Sequence, residues 1–231
     1  MTNKVLVIIP VYNGSVFLNE TIASIKSQNG VKVEIIVIDD CSTDSSYCLA
    51  NKIAGISVYR NEKNMGNYYS CNKMLKLAIA DPSWSHYTFH GADDVSYPNR
   101  FIRQLSLFDS LTLAVGCQFV RVDYKTKRKY PVNPKTNESQ LIFSRKVIDL
   151  IGYRDNGRAG CDTEYKKRLL LAAPNSIKNV DSILMSAYFH ENNLTRKFPI
   201  GGEYRKRYIN EFTQKHQRMK QERNFYQDFI L

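Results

Sequence analysis

The sequence predicts an α/β fold: a mainly parallel sheet flanked by helices, with a helical extension at the C-terminal end. Three observations carry that prediction. Val5-Leu6-Val7-Ile8-Ile9 is a continuous apolar run, as expected of a strand buried on both faces. Through the first half, short β-rich runs alternate with apolar stripes at helical spacing, the pattern of parallel strands joined by helices. Polar clusters, including two Asp-Asp pairs, fall where those strands end, and open α/β sheets bind ligands beyond the carboxyl ends of their strands.

Leu18, Ile22 and Ile25 follow the first strand at helical spacing, with Ser15 in place to cap the helix. Val33 to Ile38 is the second strand and runs into Asp39-Asp40. Ser42-Thr43-Asp44-Ser45 is a dense cluster of turn and cap formers. Ile56 to Tyr59 makes a short third strand, and Cys71, Met74, Leu75 and Ala78 mark the face of the next helix. Tyr87 to Phe89 is the fourth strand and delivers Asp93-Asp94 to a tip ahead of Val95-Ser96-Tyr97-Pro98. Phe101, Leu105 and Phe108 then mark a helix. Beyond it the rhythm changes. Leu113 to Val122 is long and β-rich, Lys125 to Lys129 reads as a basic turn, and Leu141 to Phe143 and Ile177 to Tyr188 are strand-like. A short helix is expected near Arg145 to Leu150, and another opens near Asp162. From Glu203 the chain is charged and helix-permissive, with Phe212, Phe225 and Phe229 as sparse anchors.

At 231 residues and 43% apolar content the chain is long enough to bury a sizeable core. No run approaches the roughly 18 apolar residues of a membrane span. The first apolar run meets Pro10 too early for a secretory leader. Five cysteines, at 41, 48, 71, 117 and 161, lack metal-type spacing and read as reduced thiols, which points to a cytoplasmic location. The net charge of +11 calls for anionic partners: a nucleotide diphosphate, an acidic glycan, or an anionic membrane surface touched peripherally. Nucleic acid is disfavoured, because no recognition-helix, RNP-type or zinc motif accompanies the charge. Nine Lys/Arg against three acidic residues lie between Arg196 and Arg223, so the excess is regional.

Two carboxylates side by side at a strand end repel, and a divalent cation with its preference for oxygen removes that repulsion. Pro10-Val11-Tyr12-Asn13-Gly14, Asp39-Asp40, Asn64-Met65-Gly66-Asn67 and Asp93-Asp94 each follow a strand. Four polar tips on one rim would converge on one pocket.

Val7 to Gly14, Ile36 to Asp44, Asn64-Met65-Gly66 and Gly91 to Arg100 resemble, in order and separation, the signature blocks of family 2 glycosyltransferases of the GT-A fold. The resemblance covers about residues 4–108. It implies sugar transfer, with inversion, from a nucleotide-diphosphate donor such as a UDP-sugar to a glycan or other hydroxyl acceptor, with Mn²⁺ or Mg²⁺ as cofactor. By that resemblance Pro10, Tyr12 and Asn13 line the nucleotide pocket, Asp40 holds the base edge, and Asn64, Gly66 and Asn72 belong to the same site. Asp93 would meet the ribose and Asp94 the metal. Asp162 and Glu164 resemble the family's acidic motif, with Asp162 as general base and Glu164 as its neighbour or an acceptor ligand; as a residue, Asp162 could equally cap its helix. His190, in Tyr188 to Thr195, resembles a later element that reaches the metal or diphosphate.

Two departures bear on donor choice. Cys71 stands where many relatives carry Arg, a contact that Lys73 could supply, and Cys41 stands where Gly or Asn is usual. The implied organisation is a GT-A domain over 1–202, with a nucleotide-binding half of about 1–110 and an acceptor half of about 111–202, then a basic helical extension over 203–231. Specificity falls in the segment from about 120 to 160. Competing readings are a catalytically lapsed nucleotide-sugar- or glycan-binding module and a sugar-phosphate nucleotidyltransferase. The latter would want a Gly-rich basic loop after the first strand, which Pro10 to Gly14 is not.

Overall fold

The computed structural model describes residues 4–130 and 140–230, so part of the segment from about 120 to 160 lies outside the described residues. β1 (Lys4–Val11), β2 (Lys32–Asp39), β3 (Ser57–Arg60) and β4 (His86–Phe89) are the four expected strands, and they pair with one another in parallel. α1 (Ser15–Lys26), α2 (Ser46–Asn51) and α3 (Asn67–Ala78) are the crossovers. Val5 to Ile9 are fully buried, because helices cover both faces of β1. One face packs Leu6 and Ile8 against Met74 and Leu75 of α3; the other packs Val5, Val7 and Ile9 against Leu18, Ile22 and Ile25 of α1.

The second half changes the sheet's character. β5 (Asp94–Ser96), α4 (Arg100–Leu105), β6 (Ala114–Asp123), β7 (Lys129–Tyr130), β8 (Ile142–Ser144), α5 (Lys146–Ile151), α6 (Cys161–Ala172) and β9 (Ile177–Phe189) follow. The order across the sheet is β3-β2-β1-β4-β8-β6-β9-β5, with β7 on β6. β8 runs antiparallel to both β4 and β6, and β5 antiparallel to β9, while β6 and β9 pair in parallel, so the sheet is mixed beyond β4. β5 is a strand where the sequence reads only a tip. Asp94, Val95 and Ser96 pair with Ala187, Ser186 and Met185, which fixes the second Asp pair to the end of β9. Ser15 does not cap α1: Gly14 occupies that position, without a side-chain bond.

α7 (Leu194–Lys197) and α8 (Glu203–Glu222) complete the chain. α8 docks on α6 through buried Phe212 and His216, and it spends part of the late positive charge internally. Lys215 reaches Asp155 at 2.6 Å and Glu164 at 3.2 Å, whereas Lys206, Arg207 and Arg218 stay exposed. The segment after α8 returns to the core, where Gln227 bridges to Gly152 and Phe229 is buried. Gly152 has φ +69°, and a Cβ there would lie 2.0 Å from the Gln227 carbonyl oxygen. Gly152→Ala is therefore expected to lower stability by about 2 kcal/mol or more and to release the tail, measured by urea unfolding and by proteolysis near residue 224.

Candidate active site

The tips after β1, β2, β3 and β4 surround two connected cavities. The outer one, about 710 Å³, is lined by Tyr12, Asn13, Asp40, Asn64, Gly66 and Arg158. The inner one, about 230 Å³, is lined by Tyr68, Phe89, Asp94, Arg121, Arg154 and Asp162. Pro10, Asn67, Gly91, Asp93 and Leu194 line both and form the neck between them.

Short polar side chains build the outer wall by tying loops together. Asn13 sits at φ 53°, a left-handed conformation that Asn tolerates. Its Oδ1 accepts from Thr43 N (2.8 Å), while its own N–H donates to Ser42 Oγ (2.9 Å). The Asp40 carboxylate accepts from Asn61 Nδ2, Met65 N and Ser70 Oγ on Oδ1, and from Gly66 N on Oδ2. It thus fixes the loop before α3, and Oδ2 keeps acceptor capacity. Asn64 accepts from Arg158 Nη1 at 2.9 Å, and Tyr12 is half exposed at the mouth. Cys41 holds φ 65°, a strain that the Gly or Asn of relatives would relieve.

Asn72 does not face either cavity. It is fully buried, donates to the Arg154 carbonyl and to Asn156 Oδ1, and accepts from Arg154 N, so it clamps α3 to the loop before α6. Lys73 is likewise engaged elsewhere, on Asn61 at 3.1 Å.

Asp93 and Asp94 converge above Gly91, which has no side chain. A Cβ on Gly91 would lie 2.6 Å from Asp94 Oδ2 and 2.9 Å from Asp93 Oδ1. Burial and the neighbouring Asp93 charge push the Asp94 carboxyl up to about 8, against the pull of Arg100 and Arg121. Such a pair fits a hard divalent cation, which would stabilise both anions. Among the described residues no three His, Cys, Asp or Glu side chains gather on one point. The protein would then supply one or two carboxylate ligands, as it usually does for Mg²⁺ held with substrate phosphates.

His190 stacks on Phe17 with centroids 4.4 Å apart. Its Nε2 meets Asp93 Oδ2 at 3.0 Å and its Nδ1 accepts from Asn192 N at 3.3 Å, which makes Nε2 the donor. Both ring nitrogens are occupied, so His190 orients Asp93 here and does not stand open to a metal. Asn193 Nδ2 adds a second bond to the same Asp93 oxygen at 2.9 Å.

Asp162 lies in the first turn of α6 and faces the inner cavity. It is not the cap: Gly160 holds that position with φ +89°, and no side chain caps the helix. Tyr68 Oη accepts from Gly160 N at 3.2 Å and donates to Asp162 Oδ1 at 2.8 Å, so its proton is committed to the carboxylate. Glu164 is turned the other way. It is sealed from solvent and takes Arg168 Nε (2.7 Å), His216 Nε2 (2.9 Å) and Lys215 Nζ (3.2 Å). Burial alone would raise its pKa; the His216 hydrogen bond and the Arg168 and Lys215 charges overcome that and hold it down at about 2. Glu164 joins α6 to α8 and cannot touch an acceptor. Tyr68, Arg121 and Arg154 line the inner cavity without any sequence motif to announce them; only the helical spacing of Tyr68 and Asn72 hints that both face the same neighbour.

The model of glycosyl transferase family 2 matches residues 6–171. The chain belongs to that family. An uncharacterized glycosyltransferase of Rickettsia prowazekii is 30% identical over 149 residues, which is 63% of this chain and 44% of the relative. This family 2 chain therefore spans under half the length of that curated relative. Among solved structures, Staphylococcus aureus TarS in complex with UDP-GlcNAc superposes with TM-score 0.69 at 21% identity, covering 84% of this chain and 60% of TarS. The mannosyltransferase PcManGT of Pyrobaculum calidifontis, in complex with GDP-Man and Mn²⁺, gives 0.65 at 15% identity, covering 85% and 60%. Both share the GT-A-like α/β fold of this family 2 chain, a mixed sheet flanked by helices.

Proposed function

We propose that the chain is a metal-dependent inverting glycosyltransferase that moves a sugar from a nucleotide-diphosphate donor to a hydroxyl of a glycan or other acceptor. One observation carries this reading. Asp94 and Asp162 face a common inner cavity that opens, past Asp93, onto a larger outer one. The outer cavity is large enough for a nucleotide, with Pro10, Tyr12, Asn13, Asp40, Asn64 and Gly66 around the base and Asp93 at the ribose. The complexes of TarS with UDP-GlcNAc and of PcManGT with GDP-Man support a nucleotide-sugar donor.

Asp94 would hold the Mn²⁺ or Mg²⁺, with Asp93 beside it; when bound, the ion neutralises charge as it develops on the leaving diphosphate. Asp162 accepts the proton of the incoming acceptor hydroxyl through its free oxygen, while Tyr68 fixes the other oxygen. His190 and Asn193 hold Asp93 in position. The cytoplasmic location, and contact of exposed basic residues of α8 with an anionic surface, belong to the same proposal. No helix among the described residues is long and apolar enough to cross a membrane.

Calorimetric titration of UDP- and GDP-sugars, with Mn²⁺ or with chelator, tests the reading. Donor affinity is expected to fall at least about tenfold in chelator, and likewise for Asp94→Asn in Mn²⁺. Equal affinity in both media would contradict the metal assignment.

A further inference from the structure

Arg154 is a buried charge that the proposed reaction does not use. It lies in the loop between α5 and α6, is only 8% exposed, and lines the inner cavity. Its guanidinium carbon sits 3.7 Å from the Phe89 ring centroid, with the Tyr165 and Tyr68 rings at 5.7 and 5.8 Å. Its Nε is buried with no hydrogen-bond partner, and no carboxylate among the described residues pairs with it. A stacked aromatic face offsets only part of the cost of burying a cation; a paired anion offsets the rest. Arg121 lines the same cavity, over the Phe119 ring at 5.8 Å.

The acids of that cavity already have other work in the proposed reaction. Asp94, with Arg121 near it, faces the metal and Asp162 the acceptor proton, which leaves Arg154 without an anion in a space about the size of one sugar ring. The diphosphate, held by the Asp94 metal where the two cavities meet, has Arg158 and Lys197 of the outer cavity to face it, whereas Arg154 lines the inner cavity alone. Planar guanidinium groups match a carboxylate bidentately.

We propose that the inner cavity selects a carboxylate-bearing sugar, a hexuronate, which Arg154 binds with help from Arg121. The carboxylate sits on the transferred sugar of the donor or on the acceptor sugar that meets it. This assignment rests on the glycosyltransferase reading and names its substrate class.

The test starts with binding of UDP and GDP in Mn²⁺, which establishes the nucleotide site. If neither binds, the glycosyltransferase reading fails and takes this proposal with it. If one binds, that nucleotide is compared as its hexuronate and its neutral hexose donor, each offered neutral and hexuronate-terminated oligosaccharide acceptors. The expected result is about tenfold or greater preference in kcat/KM for the carboxylate in one arm, which identifies its source. Arg154→Gln should remove most of that preference, Arg154→Lys should retain part of it, and free nucleoside diphosphate should bind both variants as it binds wild type. Equal use of hexuronate and hexose by the wild-type protein in both arms overturns the proposal without needing any variant to fold. So does a loss of free nucleoside-diphosphate affinity in Arg154→Gln as large as its loss of hexuronate turnover, because Arg154 would then serve the diphosphate.

Discussion

Asp162→Asn is expected to yield a folded, donor-binding protein whose transfer rate has fallen about 10²–10⁴-fold, or roughly 3–5 kcal/mol of barrier. The amide keeps an oxygen for the Tyr68 hydroxyl, whose own acceptor bond from Gly160 N forces its proton toward residue 162. The helix end is also unaffected, because Gly160 occupies the cap position. What the substitution removes is basicity on the oxygen that faces the inner cavity. Thermal melts should therefore superimpose on wild type while initial transfer rates collapse. A stable, donor-binding Asp162→Asn protein with normal turnover would remove the base from the mechanism. Glu164 could not inherit the role, since its carboxylate is buried and taken up by Arg168, Lys215 and His216.

The largest expected effect on stability comes from Arg168→Met, at about 3–5 kcal/mol. Arg168 is fully buried and donates to Glu164, to the Tyr153 carbonyl at 2.6 Å, and to the carbonyls of Ile151 and Phe225. Removing it strips part of the compensation from a buried carboxylate and leaves three carbonyls short of a donor. The loop carrying Arg154 and the tail after α8 should loosen together, read as lost protection in hydrogen exchange as well as a lower urea midpoint. The same cluster predicts acid sensitivity. Glu164 is held at about 2 in the folded chain against its ordinary 4.5, so its contribution is fully present above about 4.5 and is lost as pH falls toward 2. A wild-type protein whose stability stayed flat from pH 5 to pH 2 would contradict this.

The sheet's first half was legible because its strands are apolar on both faces and its helices carry plain stripes. Val5 to Ile9 and Leu18, Ile22, Ile25 could hardly be anything else. In the second half the long strands and both helices were legible, but β5 and the pairing of the strands were not, because β5 and β8 are three residues long and pair with partners far away in sequence. In the site, residue types at motif positions were visible but their direction was not. Asp162 and Glu164 are two residues apart on a helix, about 200° around its axis, so only one can face a given cavity. Asn72 is polar and stands among site residues, yet backbone groups of the 154–156 loop consume it. Arg154 carries no motif at all; its significance appears only when Phe89 is found beneath it and no paired acid among the described residues.

The account rests on a nucleotide in the outer cavity with its diphosphate metal at Asp94. A crystal grown with Mn²⁺ and the nucleoside diphosphate that binds, with anomalous data collected for manganese, tests this most directly. The account predicts one anomalous peak at the neck, with an Asp94 oxygen about 2.0–2.2 Å from the ion in an octahedral shell completed by phosphate oxygens and water. The base should lie between Tyr12 and the Asp40–Asn64 wall. A peak away from Asp94, or a nucleotide lodged against Arg154 in the inner cavity, would contradict it.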